Sequence, residues 1–352
     1  MKLFSQIASQ ESVQKKYGIP IIVKIMLTAL PIFVFFISFC FGRYGISPQT
    51  VIKILWCNAF GLKGDYAPID ASVVMTLRFP RILMCMLVGA GLSMSGAALQ
   101  GMFGNPLVSP QILGVSAGAG FGAALAILIS SSVFLIQSMA VLFGIGAVIL
   151  TYTISRIKGG NSSVYMLVLA GVITSAFFEA LISTIKFVSD PFSKLPTITY
   201  WLMGSMASVT WDDLLIVAPI IGFGIVGLLI MRWRLNVLSL DDDEARSMGI
   251  NINKSRIIVI TACTLITAAA VSVCGIVGWV GLVIPHICRI IVGSNHKNLL
   301  PACLSVGAVY LLLIDNLARS LVSTEIPLSI LTALVGAPFF AYLLKHSGGQ
   351  WS

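Results

Sequence analysis

"GMFGNPLVSPQILGVSAGAG" (residues 101–120) stands between two apolar runs and carries five glycines, two prolines, an asparagine and a glutamine. Backbone that leaves the helix at membrane depth survives only where protein or a water-filled cavity satisfies its N–H and C=O groups. An apolar run, a helix-breaking polar segment and a second apolar run therefore read as span, turn and span, with the turn shielded from lipid. The residues leave two readings of Gly101 to Pro110 open. One is a tight turn whose glycines let two helices pack closely; the other is a gate at the inner mouth of a pathway.

The rest of the chain extends this unit. Of 352 residues, 57% are hydrophobic and only 10% charged, where a soluble domain carries about 25% charged residues. Apolar runs of the length a bilayer core demands recur throughout. They predict about ten helices, near 20–41, 78–100, 111–131, 135–155, 164–186, 212–231, 256–275, 278–293, 299–320 and 328–345. The fold class is an all-α membrane protein with a single transmembrane domain over 1–352. The first run follows Lys15 and Lys16, is too long for a signal-peptide core and lacks a cleavage site, so it reads as a retained helix.

The net charge of +9 is read as the Lys/Arg excess that sets topology, with no nucleic-acid partner. With the N-terminus inside, fourteen of the 22 Lys and Arg fall on inner segments and eight on outer ones. Both termini are then cytoplasmic. Arg78, Arg81 and Arg319 run against the rule and need a cause. Seven cysteines occur without a C-x-x-C pair, which indicates neither a disulfide framework nor zinc. His286 and Cys288 form a lone H-x-C, short of the ligands a metal site needs.

Three connecting segments are longer than a turn. The outer 43–76 is expected to hold a short helix from Ser47-Pro48, a cap followed by a first-turn proline. The outer 189–211 suits an interfacial helix, given Tyr200, Trp201 and Trp211. The inner 232–256 is the strongly charged stretch, "RWRLNVLSLDDDEARSMGININKSR". There Asp241, Asp242 and Asp243 suit a helix N-terminus and Gly249 its end, while Ala245 and Met248, three apart, share a face. A faint repeat at an offset of 175 pairs Arg81-Ile82 with Arg256-Ile257 and "PLVSPQI" (106–112) with "GLVIPHI" (281–287). The predicted topology inverts the two copies, a common transporter plan.

Three blocks then carry a resemblance: residues 78–120, "GIVGWVGLVIPHICRIIVG" (275–293) and "EIPLSILTALVGAPFFAYLL" (325–344). In order and spacing they resemble the permease subunits of bacterial ABC importers for ferric siderophores, haem and cobalamin. The resemblance covers essentially the whole chain from residue 20. It implies a cobalamin-permease-like (type II ABC importer) bundle with an inverted repeat, in a bacterial or archaeal cell membrane. The implied partners are a second copy, two ABC ATPase subunits and a periplasmic or lipid-anchored substrate-binding protein. It also implies cytoplasmic gates at Asn105, Pro106 and Leu107 and at Asn161, Ser162 and Ser163. ATPase coupling falls on Asp243, Glu244, Ala245, Arg246, Met248 and Gly249, and binding-protein docking on Arg78, Arg81 and Arg319.

Glu179 is an ionisable group inside a span, which usually faces a pathway or a neighbouring helix; it is a candidate pathway residue. Asp315, four residues before Arg319, is expected to pair with it across one turn. There is no G-x-x-x-x-G-K-[ST] motif, so any ATP dependence must come from a separate subunit. No catalytic residue, cofactor or metal is expected. The competing classes are a secondary transporter, which needs no cytoplasmic docking segment, and a membrane-embedded enzyme, for which Glu179, His286 and Asp315 are too isolated.

Overall fold

The structure is a computed structural model that describes residues 19–156, 164–240 and 242–347. Those residues form helices α1 (Ile21–Ser38), α2 (Pro48–Phe60), α3 (Pro68–Phe103), α4 (Val115–Ile129), α5 (Val133–Ser155), α6 (Val164–Val188) and α7 (Lys194–Met203). After them come α8 (Trp211–Leu238), α9 (Asp242–Ser247), α10 (Ile252–Cys274), α11 (Val280–Val292), α12 (His296–Ala318) and α13 (Leu328–Ser347). No strand occurs among the described residues. Seven helices are long and apolar enough to cross a bilayer, and α4, α11 and α13 are shorter apolar helices. Together they account for the ten expected runs.

Local chemistry sets the ends. Ser47 caps α2 by accepting from the Thr50 N–H at 3.2 Å, with Pro48 in the first turn. Thr210 and Asp213 form a reciprocal capping box on α8. Gly104 ends α3 in the left-handed region, at φ 59°, a conformation that glycine adopts without steric cost.

α3 is the axis of the bundle: its apolar stretch is 83% buried, against 11% for α1 and 22% for α5. It packs on α12, α8, α10 and α11. Small residues permit this approach. A Cβ on Gly96 would lie 1.8 Å from the Gly281 carbonyl oxygen of α11, so the two backbones cross there in direct contact.

Two expectations are corrected in extent. α3 starts at Pro68, ten residues before the apolar run, through a π-helical turn at Val73–Arg78. The extra residue of such a turn rotates the remainder of the helix about its axis. At the other end of the bundle α8 continues to Leu238 and α10 begins at Ile252, so 232–256 is mostly helix with α9 between. The charges that suggested a loop lie on helix ends, where water is within reach. The repeated segments also differ locally, since 106–112 is irregular with a tight turn at Pro110–Leu113 and 281–287 lies within α11.

Candidate functional site

Polar groups gather in two layers, one at each end of α3. We name them outer and inner after the sides that the charge pattern gives them. Arg81 and Gln100 mark the layers and lie nineteen residues apart. That is about 29 Å at roughly 1.5 Å per residue, close to the hydrocarbon thickness of a bilayer.

The outer layer is made of charges. Arg81 donates from Nη2 to Asp315 Oδ1 at 2.8 Å and from Nε to Oδ2 at 3.0 Å. It also donates from Nη1 and Nη2 to the two oxygens of Glu325 at 2.8 and 3.0 Å. The planar guanidinium thus holds two carboxylates at once. Arg319 donates to the Ser38 carbonyl at 2.8 Å and to Asn316 Oδ1 at 2.5 Å, and its Nε lies 3.7 Å from Asp315. Arg78 donates to the carbonyls of Phe39 and Tyr44. Arg78, Arg81, Arg319 and Asp315 are all buried, which ties α1, α3 and α12 to the segment before α13. Asp315 therefore pairs with Arg319 across one turn, as the spacing predicts, at 3.7 Å, and makes its shorter contacts with Arg81. Contacts between helices are invisible to an i, i+4 rule.

The inner layer is largely neutral. Gln100 accepts from Arg289 Nη2 at 2.6 Å and donates to the Gly281 carbonyl at 3.4 Å. Asn236 Oδ1 accepts the backbone N–H of His296 at 2.8 Å, and Asn236 Nδ2 donates to Asn295 Oδ1 at 2.9 Å. Arg289 has no acidic partner among the described residues, and its Nη1 is buried without a hydrogen bond.

The opening segment belongs to this inner end. Asn105 Oδ1 accepts the Leu107 N–H at 2.9 Å, closing a local turn that the asparagine side chain favours. The Pro106 carbonyl lies 3.2 Å from His286 Nε2, which fixes the turn on α11. Asn105 and Leu107 are exposed and Pro106 half-buried. Phe103, Asn105 and Val108 line an open cleft of ≈ 230 Å³ together with Tyr165, Val168, Leu169 and Val172 of α6. The turn and α6 thus share one space. The expected second gate, Asn161, Ser162 and Ser163, lies outside the described residues, as does Asp241.

α6 carries Glu179 on an exposed face, with Val172, Ala176 and Ser183 on the same side. Among the described residues Glu179 is the exposed charge farthest from either end of its span. A charged side chain at the bilayer centre costs about 3 kcal/mol on insertion scales. Such groups usually face protein or a water-filled cavity.

On the inner side α9 exposes Asp243, Glu244, Arg246 and Met248, and Gly249 closes it with a left-handed φ of 77°. Ala245, expected on the same outward face as Met248, is 1% exposed and packs inward. α9 rests on α8 and α10, so its one small apolar side chain turns to the body. An ion pair between Arg256 and Asp242 at 2.7 Å pins the helix there.

Sequence reasoning gave no role to Gln100, Asn236, His296 or Glu325. Gln100 and Glu325 lie within two of the three blocks that carry the resemblance, and a polar side chain in or beside an apolar run was the available signal.

With this geometry in place, comparisons with known proteins are informative. The profile of the FecCD transport family matches residues 29–346. The chain is 45% identical to a molybdate import system permease protein of Haemophilus influenzae, over 92% of this chain and 96% of the relative. It is 40% identical to a probable iron chelatin transport system permease protein of Helicobacter pylori, over 79% and 83%. A cobalamin import system permease protein of Halobacterium salinarum is 38% identical, over 79% and 75%. Among solved structures, an inward-facing conformation of a metal-chelate type ABC transporter aligns at TM-score 0.82 and 41% identity, covering 93% of this chain and 99% of that one.

Proposed function

We infer the function from one premise: this chain belongs to the FecCD transport family, matched from residue 29 to 346. It is the membrane-spanning permease subunit of an ABC importer. That single observation carries the reading, and the bundle of spans with its exposed α9 agrees with it.

The finer parts of the proposal are these. Two copies of the chain pair in a prokaryotic inner membrane, with α6 facing the passage between them. The cargo is an iron chelate, haem or a corrinoid, delivered by a binding protein at the outer end. Asn105, Pro106 and Leu107 form a gate at the inner end, supported by the cleft that Asn105, with Phe103 and Val108, shares with α6; Asn161, Ser162 and Ser163 form a second. α9 receives force from the ATPase through Asp243, Glu244, Arg246 and Met248, which are exposed. Ala245 and Gly249 serve its shape. At the outer end, Arg78, Arg81 and Arg319 retain their role in docking. Because Arg81 is saturated by two carboxylates, the partly exposed Glu325, 20% against 0% for Asp315, is the one that an incoming carboxylate exchanges with.

The permease does no bond chemistry. ATP binding closes the ATPase pair, α9 is displaced, and α8 and α10 transmit the shift to α3 and its gate turn. The test is to replace Arg246 and Met248 by Asp in the intact complex. The variant folds, because both side chains are exposed, and ATP-driven uptake is lost. Uptake at the normal rate overturns the coupling assignment.

A further inference from the structure

The face of α6 that the proposed function turns toward the passage carries a carboxylate. Glu179 lies about 4 Å beyond the midpoint of its span, counted at roughly 1.5 Å per residue, and is exposed. The neighbouring hydroxyls are satisfied within the helix: Ser183 donates to the Glu179 carbonyl at 2.9 Å and Thr184 to that of Ala180 at 3.0 Å. Glu179 makes no ion pair among the described residues. The next charge along the same face is the half-buried Lys186, about 10 Å further out at the same rise.

We propose that Glu179 and its counterpart in a second copy form an acidic constriction that favours cationic or uncharged metal chelates and rejects bare oxyanions. The inference rests on the reading of a passage between two copies and names the class of solute that passage admits. Two copies bring two negative charges to a narrow, low-dielectric region. Walls of low dielectric focus such a field, so it acts on any solute that enters. An uncharged chelate with amide or hydroxyl donors finds hydrogen-bond acceptors there. A molybdate-like dianion meets repulsion from both sides. The protein would then differ in cargo from its relative named for molybdate.

The test needs no knowledge of the cargo. Ala180, exposed beside Glu179, is replaced by Cys in the complete complex in lipid nanodiscs. Modification rates are measured with a cationic trimethylammonium-ethyl and an anionic sulfonatoethyl methanethiosulfonate. Six of the native cysteines are buried and Cys40 is partly so, so the unsubstituted protein supplies the background rate. The expected result is reaction with both reagents, the cation faster, with the cation-to-anion ratio falling roughly tenfold in Glu179→Gln. Glu179→Asp keeps the ratio high, which separates charge from shape. A ratio that ignores the charge at 179 overturns the selectivity while the passage stands. If neither charged reagent reacts but a membrane-permeant maleimide does, the face is closed to water and the passage reading falls with the proposal.

Discussion

The outer and inner polar layers solve the same problem with different chemistry. At the outer end Arg81 and Arg319 meet Asp315, Arg81 also holds Glu325, and Arg78 donates to backbone carbonyls. At the inner end Gln100 accepts from Arg289, which has no carboxylate among the described residues, while Asn236 and His296 share neutral hydrogen bonds. Buried ion pairs are costly to break, because the partner left behind is a desolvated charge. Neutral hydrogen bonds exchange for water at a small net cost. The comparison teaches that the outer end is braced by buried ion pairs while the inner end is held by hydrogen bonds that cost less to exchange, which suits the gate proposed on that side.

The largest expected effect breaks the braced layer. Asp315→Ala leaves Arg81 and Arg319 buried around a missing carboxylate and destabilises the fold by about 3–5 kcal/mol. Chemical denaturation in detergent, or loss of folded protein on size exclusion, checks this. A near-normal midpoint would erase the contrast between the layers. Next is Gly96→Ala, which drives a methyl into the Gly281 carbonyl. Parting α3 from α11 costs about 1–3 kcal/mol, read as a lowered melting temperature.

Arg289→Met sharpens the comparison from the other side. It removes a cation whose bond is to Gln100 Oε1, so the loss is about 1.5–3 kcal/mol, below that of Asp315→Ala. A loss as large as the latter would show that the inner layer is braced too. The smallest effect lies outside both layers, in the turn before α7. The Ser193 hydroxyl bonds to Asp190 and, with the backbone N–H groups of Ser193 and Phe192, holds its carboxyl below the usual range. A carboxyl lowered by folding stabilises above its unfolded value, and that contribution fades as pH falls through the folded value. Asp190→Asn should therefore lower the melting temperature slightly at neutral pH, with the difference from the unsubstituted chain vanishing in acid.

Much of the scaffold was legible because hydrophobic period and helix punctuation are local. Ser47-Pro48 announced α2, Gly249 the end of α9, and the apolar runs the ten long or short membrane helices. The limits of α3 and α8 were not legible, since a helix that runs on past its apolar stretch into water continues through charges such as Arg232 and Arg234. The site divided along the same line. Asn105, Pro106 and Leu107 stood out by composition, and the structure brings Asn105 to a cleft with α6 and Pro106 to His286 of α11. The pairing of Arg81 with Asp315, 234 residues on, depends on how α3 and α12 pack, which no local pattern encodes. Ala245 turned inward for the same reason: a face shared by two residues does not say which way the face points.

The central claim is that cargo crosses between two copies of this chain along α6. Double electron–electron resonance on the intact complex with one spin label at Ala180→Cys tests it most directly. The account predicts a defined label-to-label distance between copies that changes when ATP binds. A transport-competent complex without any dipolar coupling between labels, or with a distance indifferent to ATP, would contradict it.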